Sequence, residues 1–137
     1  MVPSYDGEDP FVYVTYCHYD GEDVSFYLYR LVSEGARMSF DERRRDEASS
    51  MVAFLSKKAV MDSKVICDLT FAKQAYMDVT CIYLDDSSFP SFVDIDDSSF
   101  KTIRPKDMSL LQSVSLLEAN FPPDVFQGPR KRVSQDN

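Results

Sequence analysis

Few residues of this 137-residue chain have types suited to chemistry: one histidine, His18, three cysteines, Cys17, Cys67 and Cys81, and several groups of acids. They form no readable nucleophile. Cys17 and His18 are adjacent on an extended segment, where successive side chains point to opposite faces, so they diverge. No serine, histidine and acid stand in a catalytic pattern. The glycines at 7, 21, 35 and 128 make neither a G-x-G-x-x-G nor a G-x-x-x-x-G-K loop, so no phosphate cradle is present. An odd cysteine count without C-x-x-C spacing argues against a disulfide framework and a structural zinc site. Cys17 and Cys81 lie in apolar runs and read as small core residues. Asp85, Asp86 and the acids at 94–97 lack calcium-loop spacing and read as solvated turns. His18 reads as a loop histidine with a structural hydrogen bond, with ligand or phosphate binding as the alternative. Arg43, Arg44 and Arg45 read as a solvated face, or else as a basic knob that docks an acidic patch.

The bulk numbers bound what such residues can serve. The net charge of −8 argues against nucleic acid and anionic membrane as partners, since both call for a basic surface. With 44% hydrophobic and 28% charged residues, the chain has the balance of an ordinary globular protein. Its length suits one domain with a real core. The start has no basic and apolar leader, and no apolar run nears the roughly 20 residues of a bilayer span. Together with the cysteine pattern, this leads us to expect a soluble, cytoplasmic protein.

Strands must position these groups. Residues 11–17 are almost wholly apolar or β-branched, the mark of a strand buried on both faces. Short apolar runs at 38–40, 51–55 and 79–84 read as further strands, and 99–104 as a fifth. Between them the period turns helical. Val24, Tyr27, Leu28, Leu31 and Val32 follow a cap at Asp23 and stop at Gly35. Val65, Ile66, Leu69, Ala72, Lys73 and Tyr76 follow Asp62 or Ser63. Leu110, Leu111, Val114, Leu117 and Glu118 follow Pro105 and end before Pro122. The polar loop at 85–99 offers Phe89, Phe92 and Ile95 as anchors. Residues 1–10 read as a flexible lead-in, 11–127 as the domain, and 128–137 as a disordered tail. Strands alternating with helices predict an α/β fold with a parallel sheet covered on both faces. Its ligand site belongs beyond the carboxyl ends of the strands, at residues 18–23, 41–42, 56–63 and 85–88.

The order of these segments resembles the Toll/interleukin-1 receptor (TIR) family, in its bacterial type. Phe-Val-Tyr-Val-Thr-Tyr-Cys-His-Tyr-Asp at 11–20 is similar to the opening strand, an apolar run followed by Ser-Tyr-Ser-His, one variable residue and Asp. Tyr16, His18 and Asp20 match, and Cys17 replaces a serine. Leu-Tyr-Arg-Leu-Val at 28–32 with Gly35 resembles the first helix, and Ser-Phe-Asp-Glu at 39–42 the second strand. Val-Ala-Phe-Leu-Ser at 52–56 resembles the third strand with its terminal serine, Asp-Leu-Thr-Phe-Ala at 68–72 the helix after it, and Ile-Tyr-Leu-Asp-Asp at 82–86 the fourth strand. The likeness covers roughly 11–121.

It implies a flavodoxin-like three-layer sandwich with five parallel strands in the order 2-1-3-4-5. It implies protein–protein contacts, either self-association or a partner with a TIR-like surface, in signal transduction or defence. The alternative it implies is an NAD nucleosidase. There Asp68 would be the catalytic carboxylate that stabilises oxocarbenium-like charge, while Tyr16, Cys17, His18, Asp20 and Ser56 would hold the nucleotide, with NAD as substrate and no metal or further cofactor. Two departures bear on that choice. Asp68 stands where the NAD-cleaving members carry glutamate, and Lys64 where a tryptophan is usual. The shorter side chain withdraws the carboxylate by about 1–1.5 Å, a misplacement that can cost about 100-fold. Only eight residues, 43–50, separate Glu42 from Met51, which reach about 26–29 Å at most. A crossover normally needs about 10–12. This one is pared to a turn or two of helix or to coil. A third reading, a phosphorylatable receiver domain, lacks the aspartate that should end the third strand, where Leu55-Ser56-Lys57 stands instead.

Overall fold

A computed structural model describes residues 2–95 and 98–127 of the chain. The predicted tail at 128–137 and the acids Asp96 and Asp97 lie outside the described residues. Five strands form one all-parallel sheet: β1 (Val12–Tyr16), β2 (Met38–Ser39), β3 (Ser50–Leu55), β4 (Val79–Tyr83) and β5 (Lys101–Ile103), in the order β2-β1-β3-β4-β5. The fold is α/β and flavodoxin-like, as the segment order implied. β1, β3 and β4 are central and buried along both faces, which is why they read as continuous apolar runs rather than alternating ones. The edges, β2 and β5, are only two and three residues long. Short edges leave little unpaired backbone for a foreign strand to join.

Among the described residues three α-helices cover the sheet. α1 (Gly21–Ser33) and α3 (Leu110–Asn120) lie on one face, where Val24, Leu28, Leu31, Val114 and Leu117 pack on Val12, Val14, Val52, Phe54 and Ile82. α2 (Ser63–Gln74) lies on the other, where Val65, Leu69 and Ala72 pack on Tyr13, Met51, Ala53, Leu55, Cys81 and Tyr83. α1 begins two residues before Asp23, behind Asp20, whose side chain makes no cap. It ends as expected at Gly35, which takes φ +96° while Gly35 N–H donates to Val32 O and Ala36 N–H to Leu31 O. α2 starts on Asp62, which accepts from the N–H groups of Lys64 and Val65. α3 starts on a reciprocal capping box between Ser109 and Gln112.

Two segments depart from the sequence reading. Residues 2–10 are tied to the domain more closely than their polar composition suggests. Tyr5 N–H donates to Met38 O, the Ser4 hydroxyl accepts from Phe40 N–H, and Val2 is buried. In the 85–99 loop, Ile95 is buried and Phe89 packs beside it, but Phe92 is exposed and anchors nothing.

Candidate functional site

The short link from β2 to β3 is a 3-10 turn, Glu42–Glu47, capped by Asp41, which accepts from Arg43 N–H. It is too brief to lay a helix against the sheet. Its three arginines part company, so they form neither a single solvated face nor a basic knob. Arg43 stays in solvent against Asp41. Arg44 lies over the Phe11 ring at 4.5 Å and donates to the carbonyls of Tyr5 and Gly7. Arg45 turns inward, lies over Phe71 at 4.2 Å, and reaches α2.

What Arg45 reaches is Asp68. Its exposure is 0%, and it faces the sheet. Oδ1 accepts from Arg45 Nη1 at 2.8 Å. Oδ2 accepts from Thr15 Oγ1 at 2.6 Å, Lys64 Nζ at 2.8 Å and Tyr13 OH at 3.1 Å. Lys64 Nζ also donates to Tyr13 OH at 3.2 Å. A carboxylate offers about two lone-pair sites on each oxygen; here three donors share Oδ2 and one takes Oδ1. Burial pushes the Asp68 carboxyl up, but the hydrogen bonds from Lys64, Thr15 and Arg45 outweigh it and hold the carboxyl below its ordinary range. Burial likewise lowers Lys64, and Asp68 more than restores it, leaving the ammonium above its usual value. Burial, with the negative charge of Asp68, pushes Tyr13 up to about 12. At neutral pH Asp68 and Lys64 are therefore charged and Tyr13 is neutral, with Lys64 half-exposed at the rim of the cluster.

The residues expected to hold a nucleotide fall into two pairs and a buried thiol. Tyr16 and His18 line a cleft of about 350 Å³ at the carboxyl end of β1, with Val14, Phe40, Asp62 and Lys64. His18 is exposed, its ring 4.1 Å from that of Tyr19. Cys17 is 2% exposed and belongs to the core under α2, as its apolar surroundings suggested. Asp20 and Ser56 meet each other: Ser56 Oγ donates to Asp20 Oδ2 at 2.5 Å and accepts from Ala59 N–H at 3.1 Å. This bond ties the loop after β1 to the loop after β3. It spans the point where strand order reverses, the usual ligand crevice of such sheets. Asp85 makes a similar stitch by accepting from Lys57 N–H at 2.9 Å, and it also accepts from Ser87 N–H. The turn reading of Asp85 therefore fits. Asp94 faces Lys73 at 3.5 Å. Among the described residues no three His, Cys, Asp or Glu side chains gather to hold a metal, and no helix is long and apolar enough to cross a membrane.

The sequence reading missed Arg45, Lys64, Tyr13 and Thr15 as partners of Asp68. Two signals were available. Lys64 precedes Asp68 by four residues on a helix, where such pairs meet. Tyr13 and Thr15 are polar groups two apart on a buried strand, hence on one face. Arg45, on the 3-10 turn, gave no such signal. No protein-family model matches the chain, and no curated protein matches it.

Proposed function

We propose that the chain is a TIR-like interaction module that works in signal transduction or defence through contacts with a second TIR-like surface, in itself or in a partner. The observation that carries this reading is the state of Asp68. A carboxylate that stabilises an oxocarbenium-like centre must face the ribose with a free lone pair. Oδ2 of Asp68 takes three donors from its own chain and Oδ1 a fourth, two of the donors are cations, and the carboxylate is buried against the sheet rather than turned toward a ligand. The Asp20–Ser56 bond supports the same reading, since it ties together the two loops that flank the strand-order reversal.

The alternative, an NAD nucleosidase, draws on one feature: Lys64 both lines the cleft with Tyr16 and His18 and bonds Asp68. Cleavage would require Lys64 to swing out and let ribose take its place. Nicotinamide release from NAD by concentrated protein separates the two readings. We expect none from wild type, and none from Asp68→Glu, which restores the longer acid. Release by wild type that Lys64→Met or Asp68→Asn alters, in protein still folded by circular dichroism, would establish the enzyme instead.

A further inference from the structure

α1 carries its core residues on one side and an unpartnered face on the other. The exposed residues of that face are Glu22, Asp23, Phe26, Tyr29, Arg30 and Ser33. At 100° per residue they occupy an arc of about 120°. Phe26 sits at its middle and is 57% exposed, and Tyr29 beside it is 75% exposed. Two large aromatics three residues apart on a solvent-facing helix make a small apolar centre, the composition of an interface core rather than of a free surface.

The charges around that centre have an order. The acids lie in the first turn and Arg30 in the last. Arg30 is seven residues from Asp23, about 10 Å along the axis, and cannot pair with it within one helix. None of the ion pairs among the described residues uses Glu22, Asp23 or Arg30. Tyr29 stands at the same seven-residue separation from Glu22. On the helical wheel Asp23 and Arg30 share one rim of the arc, and Glu22 and Tyr29 share the other.

This is the arrangement a two-fold axis requires. When a copy of α1 lies antiparallel across the first, the axis passing at Phe26, each rim meets the same rim of the copy with its ends exchanged. Asp23 then faces Arg30 of the copy, and the Tyr29 hydroxyl can donate to Glu22 of the copy, each contact occurring twice. The two Phe26 rings meet at the centre. The helix dipoles also run antiparallel, which favours the pair. We infer that α1 is a self-association face, and that its partner is a second copy of this chain in an antiparallel, two-fold α1–α1 pair. The inference rests on the interaction-module reading and names the surface and the partner for it. One helix face is a small interface, so the dimer is weak and belongs in the range of roughly 0.1–1 mM chain.

Sedimentation velocity over that range tests it. Wild type should dimerise, and Phe26→Ala should weaken the dimer at least tenfold. Asp23→Arg and Arg30→Asp should each be monomeric, because each sets two like pairs face to face. Mixed one to one, the two variants should form a dimer again. The arginine introduced at position 23 of one chain then meets the aspartate introduced at position 30 of the other, and the remaining pair is native. Phe26→Cys in a Cys67→Ser background should cross-link to itself on mild oxidation, and Cys67→Ser alone should not. A wild-type chain that stays monomeric to about 1 mM overturns the inference. So does a dimer that survives both charge reversals and does not respond to mixing. That last outcome would leave the interaction-module reading standing on another face, whereas Asp68-dependent NAD cleavage would overturn the reading without touching the dimer.

Discussion

Under α1 and α3 the sheet shows Val12, Val14, Val52, Phe54 and Ile82, and the helices answer with aliphatic side chains and the ring of Tyr27. Under α2 it shows Tyr13 and Thr15 beside Met51, Ala53 and Leu55, and the answer there includes a carboxylate, an ammonium and a guanidinium. The two faces differ because their coverings differ. The first face has two helices. The second has one, and the turn at Glu42–Glu47 stands where a second would lie. A turn of six residues offers no apolar stripe, but one long side chain, Arg45, can cross the gap, its guanidinium lying over Phe71 and bonding Asp68. A buried charge is tolerable only when paired and hydrogen-bonded, so the acid, both cations and both hydroxyls come as a set. On the apolar face a single change costs what its lost volume costs; in the ionic cluster it also strands the partners left behind.

The largest effect should come from removing the hub of that cluster. Asp68→Ala strands two cations and two hydroxyls and should cost about 3–5 kcal/mol in urea unfolding, as much as Phe54→Ala on the apolar face. The combined Tyr13→Phe, Thr15→Val, Arg45→Met, Lys64→Met and Asp68→Leu chain should instead stay within about 1 kcal/mol of wild type or exceed it, because an apolar set of similar volume leaves neither charge nor hydroxyl to pair. If the combined variant is as unstable as Asp68→Ala alone, the cluster does more than fill a gap. Arg45→Ala, which takes away one donor and its cover on Phe71, should cost about 2–3 kcal/mol.

Titration separates the faces without a large change of packing. Asp68 is depressed on folding, so its stabilising effect is present above the unfolded carboxyl range and is lost as pH falls below about 4 through the folded value. Tyr13 and Lys64 are raised on folding, so theirs is complete below about pH 10 and declines as pH rises, for Tyr13 through about 12. Tyr13→Phe should remove part of the alkaline decline, on the order of 1–2 kcal/mol, and leave the acid limb in place. Thermal unfolding across pH checks both signs. The smallest expected effect is an equality. Asp62→Ala and Ser109→Ala remove the caps of α2 and α3 and should each cost about 1 kcal/mol. A marked inequality would mean that the faces differ in helix stability as well as in what lies beneath.

Much of the architecture was legible in the sequence because it rests on local rules. Continuous apolar runs marked the doubly buried strands, Asp62 and Gly35 punctuated helices, and alternation of strand and helix required parallel crossovers. The eight-residue link was visible as too short for a full helix by chain reach alone. The start of α1 was less legible, since Asp20 rather than Asp23 precedes it and engages Ser56 with its carboxylate. The end of α2 breaks the glycine rule, with Tyr76 at φ +55° in the place glycine usually takes.

The candidate site divides along the same line. Local pattern along the chain was enough to put Asp68 on a helix after the third strand, and to send Cys17 and His18 to opposite sides. It was not enough to show that Asp68 faces inward and is neutralised. That follows from long-range folding, because Arg45 comes from a turn 23 residues away and Thr15 and Tyr13 from a strand more than fifty residues away. A carboxylate's role is set by who occupies its lone pairs and by whether water can reach it. Those are properties of the space around it, and no run of neighbouring residues specifies that space.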